Sequence, residues 1–265
     1  DTTPVNPAEP GLEVCTYFVR SRNVLLARAD FSDLFVDYYL HLSDHKIKPE
    51  PEHATMFKRA LAAFTLHCAS QPRNVMTAWT MNFQEPLLNL FLVGDNEFGS
   101  VTGRGFAENV KKQEANIFYA DVVRNKQPPR RSTVNFTGSD PLQAVESFYA
   151  QSEQRAARYF QTGDDSFAML SEHPDSDMEW LSGLTVEDVV KLDDTESLAL
   201  LETRVQRWHC GCNNERMMQV LLPAMKEDPD GLFGEDQKIE IRCPRCAARH
   251  AVTREAMEAY VADQP

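Results

Sequence analysis

Four cysteines toward the C-terminal end carry the clearest chemistry in the chain: Cys210 and Cys212 in His-Cys-Gly-Cys, then Cys243 and Cys246 in Cys-Pro-Arg-Cys. Thirty residues lie between the two pairs. Each pair can offer two thiolates to one ion, and together they complete the closed tetrahedral sulfur shell that Zn2+ takes at structural sites. In a chain with six cysteines among 265 residues, two pairs at ligand spacing point to one four-thiolate zinc site. The first pair has a single residue between its thiols, Gly211, the residue type that best tolerates a tight turn. Without metal, Cys210 and Cys212 could close only a small, strained ring, and strained disulfides are the labile, regulatory ones. Metal-bound thiolates stay deprotonated, hence nucleophilic toward peroxide or hypochlorous acid unless shielded. The pattern suits a reversible redox switch, and equally a metal staple that only holds a fold together. His209 and His250 flank the knuckles, but four thiolates already fill the shell and neither is needed as a ligand. A catalytic zinc keeps an open position, and no Ser-His-Asp, His-Glu-x-x-His or phosphate-loop pattern is present. No catalytic residue is assigned, and the chain reads as a non-enzyme.

The whole composition narrows the function further. Lys+Arg of 27 against Asp+Glu of 40 leaves a net charge of −13, and a four-thiolate zinc site adds about two more negative charges. Nucleic-acid binding needs a basic face, and none is visible. High negative charge suits a protein that must stay soluble while holding sticky partners, though ordinary soluble proteins share it. No apolar run nears the roughly 20 residues that span a membrane. The opening stretch, residues 1–11, lacks Met and has neither the basic nor the apolar region of a signal peptide, so it reads as a trimmed, disordered lead-in. Cys15 and Cys68 have no neighbouring cysteine. Free thiols beside a metal cluster imply a reducing compartment, and the cytoplasm is expected.

The elements that must position the cysteines follow from pattern. Val14–Arg20 and Asn23–Asp30 read as a β-hairpin. Ser32 reads as the N-cap of a helix bearing Leu34, Phe35, Tyr38, Tyr39 and Leu42, and Pro51 opens a longer helix with Met56, Phe57, Ala60, Leu61, Phe64 and Cys68 on one face. Cys68 on that stripe reads as a buried apolar residue and His67, one position off, as a satisfied helix residue. Val75–Phe83, Leu87–Val93, Val101–Ala107, Ala115–Val123 and Ser132–Thr137 form a meander of antiparallel strands, with a bulge expected at Gly103-Arg104-Gly105. Asp140 caps a helix with Pro141 at its first position, and strands return near Arg158–Phe160 and Phe167–Leu170. From His173 the composition turns polar and acidic, and short helices are expected over Met178–Leu184, Val186–Leu192 and Thr195–Thr203. Asn213–Met225 and Thr253–Val261 read as helices, with a strand over Lys238–Arg242. The fold class is therefore α+β. Residues 1–11 form the lead-in, 12–172 an N-terminal domain of mostly antiparallel sheet packed with helices, 173–206 a helical linker, and 207–265 a small zinc-binding domain. A segment of about 55 residues is too small for a strong core of its own, so zinc is expected to fold it.

Three places carry a family resemblance. They are the Cys210-Gly-Cys212 and Cys243-Pro-Arg-Cys246 pairs with their 30-residue gap, and Asn213-Asn-Glu-Arg216 with Gly234-Glu-Asp-Gln-Lys-Ile-Glu-Ile241 around them. The third is Phe148 and Ser152-Glu153-Gln154 after a helix, followed by Arg158 and Phe160. In these the chain resembles the heat shock protein 33 family of redox-regulated bacterial chaperones, most specifically from Asp140 onward. It departs from the family pattern at Gln84-Glu85-Pro86, at Arg249–Val252 and in a shorter approach from Leu198 to Cys210. The resemblance implies an ATP-independent holdase that is quiescent when reduced and zinc-loaded. On oxidation Cys210 pairs with Cys212 and Cys243 with Cys246, zinc leaves, the C-terminal segment loses order, and the protein dimerises and captures unfolding clients. The alternative is a constitutive zinc-stapled module that docks a specific protein without switching.

Overall fold

The computed structural model describes residues 10–124 and 127–263; most of the lead-in expected over 1–11 lies outside them. The hairpin forms as β1 (Leu12–Val19) and β2 (Val24–Asp30). α1 (Ser32–Asp44) begins one position earlier than Ser32 as a cap implies. Phe31 holds the cap position, and the Asp30 carboxylate instead accepts from the Ser32 N–H at 2.9 Å. α2 (Pro51–Ala69) is buried along most of its length, including Cys68. Among its residues His67 is satisfied, its Nδ1 lying 2.6 Å from the Tyr149 hydroxyl.

The meander follows as β3 (Val75–Gln84), β4 (Leu87–Asp95), β5 (Ser100–Phe106), β6 (Asn116–Arg124) and β7 (Arg130–Phe136). The bulge expected at Gly103-Arg104-Gly105 is absent, for β4 and β5 pair in unbroken register from Asn89↔Phe106 to Asp95↔Ser100. Gly103 is there for proximity: a Cβ on it would sit 2.3 Å from the Phe91 carbonyl oxygen. The irregularity falls instead between Thr16 and Tyr17 of β1. α3 (Pro141–Phe148) starts as expected, with Asp140 accepting from the Leu142 N–H. It runs into a single π-helical turn (Tyr149–Glu153) that the sequence did not announce, then β8 (Ala157–Gln161) and β9 (Ser166–Glu172).

The acidic stretch holds α4 (Met178–Gly183), α5 (Val186–Val190) and α6 (Leu192–Thr195). The third helix expected there, Thr195–Thr203, does not form. Leu198–Trp208 is an eleven-residue strand, β10. It pairs antiparallel with β1 and, over Arg207↔Ser100 and Trp208↔Val101, parallel with β5. The result is one ten-stranded sheet in the order β7-β6-β3-β4-β5-β10-β1-β2-β9-β8, with β10 between its halves. Tertiary pairing here overrides the helix preference of Leu, Ala, Glu and Arg.

One core lies between the sheet and helices α1 to α3, with Trp79 at 0% exposure among Phe64, His67, Phe118 and Phe148. A second lies on part of the sheet, where Leu181, Leu184, Val189 and Leu192 of the short helices cover Val19, Val24, Leu26, Phe160 and Leu170. Arginines pin this acidic cover. Arg22 reaches Asp177 and Glu196, Arg28 grips Asp193 with both terminal nitrogens, and Arg158 donates to the Ser182 carbonyl. Beyond β10 come α7 (Asn214–Glu227), α8 (Pro229–Phe233), β11 (Lys238–Arg242), β12 (Arg249–Thr253) and α9 (Arg254–Ala262), around a small core of Met217, Met225, Phe233, Val252 and Met257. No helix among the described residues is long and apolar enough to cross a membrane.

Candidate metal centre

The two knuckles arise from different local devices. β10 ends at Trp208 and delivers Cys210, after which Gly211 takes a left-handed φ of +65° that turns Cys212 back beside it. Asn213 then caps α7, accepting from the Arg216 N–H at 2.9 Å, while Arg216 Nη1 donates to the Gly211 carbonyl. The second knuckle joins the strands of the β11–β12 hairpin. The Cys243 N–H donates to the Ala248 carbonyl at 2.8 Å and the Ala247 N–H to the Cys243 carbonyl at 2.9 Å, with Ala247 left-handed at +62°.

These turns bring together all four cysteines singled out by their spacing. Their sulfurs lie within 4.8 Å of one another, with Cys210–Cys243 and Cys212–Cys246 each 3.6 Å apart. Separations of that size are too long for S–S bonds of about 2.05 Å. They match the roughly 3.8 Å edge of a tetrahedron built on Zn–S bonds of about 2.3 Å. Cys243 and Cys246 are buried, whereas Cys210 and Cys212 are half-buried. Cys15 in β1 and Cys68 in α2 stand apart from the group. Burial pushes the Cys68 thiol far above its ordinary pKa, so it is inert as a nucleophile.

The cluster's electrostatics call for a cation. Cys243 is driven well below the ordinary thiol range by the S–H groups of Cys210, Cys212 and Cys246 around it. Cys212 and Cys246 are driven up by Cys210 and their other neighbours, since each further thiolate meets charge already present. Four thiolates at this spacing therefore coexist only around a positive ion, and a soft divalent metal is the ion such donors select. Arg104 of β5 lies near enough that Cys243 and Cys246 oppose the burial that lowers its own pKa.

Sequence reasoning missed the histidines around this centre. His41 in the last turn of α1 and His45 at its C-cap lie one turn apart, a spacing that puts both on one face. His41 Nε2 donates to the Cys246 carbonyl at 2.8 Å, and His45 Nδ1 accepts from the Arg249 N–H at 3.2 Å. Trp208 packs against the His41 ring and against Tyr38 and Phe57. His250, set aside as a ligand, places Nε2 3.3 Å from Cys212 Sγ and Nδ1 3.2 Å from Asn214 Oδ1. His209 and His250 line, with both knuckles, a cleft of about 400 Å3 that opens the centre to solvent.

An α+β protein with one wide, mostly antiparallel sheet and a four-cysteine module after its last central strand is the class that fold and site define. Residues 161–253 match the family model described as Hsp33 protein. A 33 kDa chaperonin of Nitrosococcus oceani is 24% identical over 157 residues, covering 51% of this chain and 54% of that protein. One from Shewanella loihica is 30% identical over 145 residues, covering 46% and 50%. The chain thus spans about half the length of these curated relatives. The crystal structure of the 33 kDa chaperonin (heat shock protein 33 homolog) from Thermotoga maritima superposes with a TM-score of 0.71 over 96% of this chain and 98% of that one, at 14% identity, a likeness of fold. The chain is thus similar to the Hsp33 family in sequence over residues 161–253 and in fold over nearly all of its length.

Proposed function

We propose that the protein is an ATP-independent holdase chaperone, not an enzyme, whose capture of unfolding proteins is governed by the oxidation state of Cys210, Cys212, Cys243 and Cys246. The observation that carries this reading is the four-sulfur cluster, which fits one Zn2+ and ties together the two knuckles of a module with little core of its own. In the reduced state the four thiolates hold zinc and the module is folded. A two-electron oxidant such as hypochlorous acid, acting twice, removes four electrons and joins Cys210 to Cys212 and Cys243 to Cys246. The Zn2+ departs unchanged in charge. Partners within a knuckle are favoured because they stay close in sequence once the metal no longer joins the knuckles.

The reading divides the chain into a client-binding domain over 12–172, a covering segment over 173–206 and a switch over 207–265. The covering helices hide an apolar sheet face that includes Val19, Leu26, Phe160 and Leu170. That surface is suited to unfolded chains once released. Pairing of two oxidised copies and a cytoplasmic setting belong to the same reading.

Light scattering from a thermally unfolding client, with zinc release recorded in the same samples, tests it. Suppression of aggregation is expected only after hypochlorous acid treatment, in step with zinc loss. Equal behaviour before and after oxidation, with zinc retained, would mean a constitutive staple. Cys15→Ala and Cys68→Ala are expected to activate like the parent, since neither thiol belongs to the cluster. Loss of activation in either would remove the assignment of the switch to the four clustered cysteines.

A further inference from the structure

The register of the β11–β12 hairpin pairs Ile241 with His250, two residues before the second knuckle begins at Cys243. His250 does not serve its own knuckle. Its imidazole crosses to the first one, between Cys212 Sγ at 3.3 Å and the Asn214 side-chain amide at 3.2 Å. Both partners belong to the short stretch that turns from Gly211 into α7, so one ring bridges the two halves of the module.

The chemistry decides the direction of the contact. A metal-bound thiolate offers only lone pairs, so Nε2 must present its proton to sulfur. Nδ1 is then the acceptor nitrogen, and the Asn214 amide, turned so that its Nδ2–H faces Nδ1, holds it and keeps the ring from turning. An N–H···S bond draws charge from the sulfur and fixes its direction. Cys212 is half-buried where it lines the cleft, whereas Cys243 and Cys246 are buried, Cys246 in the cleft's wall. Cys212 is one of the two sulfurs most open to water, protons and competing ligands.

We propose that His250 is a positioning residue of the metal centre, whose Nε2–H, oriented by Asn214, donates to the Cys212 thiolate, locks the knuckles together and sets how readily the metal leaves. This rests on the reading of the cysteine cluster as a metal centre.

The test uses the full chain loaded with Cd2+, which reports thiolate ligation through its ultraviolet charge-transfer band and its 113Cd resonance. The parent is expected to bind one Cd2+ with four-thiolate intensity; failure here would overturn the metal-centre reading itself. His250→Ala is expected to keep that stoichiometry and intensity, because all four sulfurs remain. Its affinity should fall on the order of ten-fold, its cadmium resonance should shift, and transfer to a competing chelator should be faster. His250→Gln, which retains an N–H donor, should recover most of the affinity and move the resonance back toward the parent's. Asn214→Ala should shift both in the same direction as His250→Ala but less. If His250→Ala keeps the parent's resonance and release rate, the inference fails. It fails also if Ala and Gln lose affinity equally with the resonance unmoved, since the ring would then only fill space. Should His250→Ala not fold, His250→Gln and Asn214→Ala carry the same comparison.

Discussion

Cys243→Ser is expected to strip the metal from the protein and unfold the chain beyond Trp208, while the ten-stranded sheet stays intact. Cys243 is 1% exposed and touches the sulfur of Cys210 in the other knuckle. Serine leaves three thiolates and a hydroxyl that is a poor ligand for a soft ion at neutral pH. Structural zinc supplies roughly 10–16 kcal/mol to small domains that bind it. Among the described residues the module's apolar core has five that are buried, Met217, Met225, Phe233, Val252 and Met257. A segment of about 55 residues with so small a core has almost no folding free energy to spare, so losing the ion decides its state. Metal content should drop to background, and amide exchange in α7 and α9 should become fast while β3 and β6 stay protected. Parent-like protection of α7 with the metal gone would mean that the module folds without it.

Trp79→Ala should do the converse. Its ring is fully buried, with centroids 5.0 Å from Phe64, 4.6 Å from His67, 5.1 Å from Phe118 and 5.8 Å from Phe148. Removing so large a side chain from a packed aromatic cluster costs about 3–5 kcal/mol, through lost transfer energy and the cavity left behind. The denaturant midpoint of the sheet, followed by near-ultraviolet circular dichroism, should fall accordingly. Stoichiometric metal binding below that midpoint should persist, because the cluster draws nothing from Trp79. A loss under about 1 kcal/mol would mean the core closes over the gap, contrary to the density of its packing.

The cysteine pairs were legible because ligand spacing is a local property, and two short turns suffice to bring four sulfurs together. The hairpin, α2, α3 with its Asp140 cap, and β11 were legible because their apolar residues recur at the period of the element or a capping residue marks its start. β10 was not. Its only fully buried residue is a glutamine, Gln206, and Leu200 and Leu201 are both exposed, so no alternation of apolar residues marks it. Strand identity there comes from β1 and β5 on either side, partners nearly 200 and about 100 residues away in the chain. β12 escaped for a similar reason, since Arg249-His250-Ala251-Val252-Thr253 buries only Val252. The histidines of α1 were invisible as site residues because their partners, the Cys246 carbonyl and the Arg249 N–H, are backbone groups two hundred residues on.

Between the two halves of the sheet the ladder narrows to two residue pairs, Arg207↔Ser100 and Trp208↔Val101, held by the Arg207 N–H on the Gly99 carbonyl and the His209 N–H on the Val101 carbonyl. Every other neighbouring pair of strands in this sheet shares at least five. The molecule is in effect two leaves sewn by a single short stitch, with α2 as the spine along which both are bound, since it packs on β4 and β5 of one leaf and β2 and β9 of the other. The thread of that stitch runs straight into Cys210. Whatever tension or slack develops at the four cysteines is therefore delivered first to the narrowest fastening in the fold, the page at which the book would open.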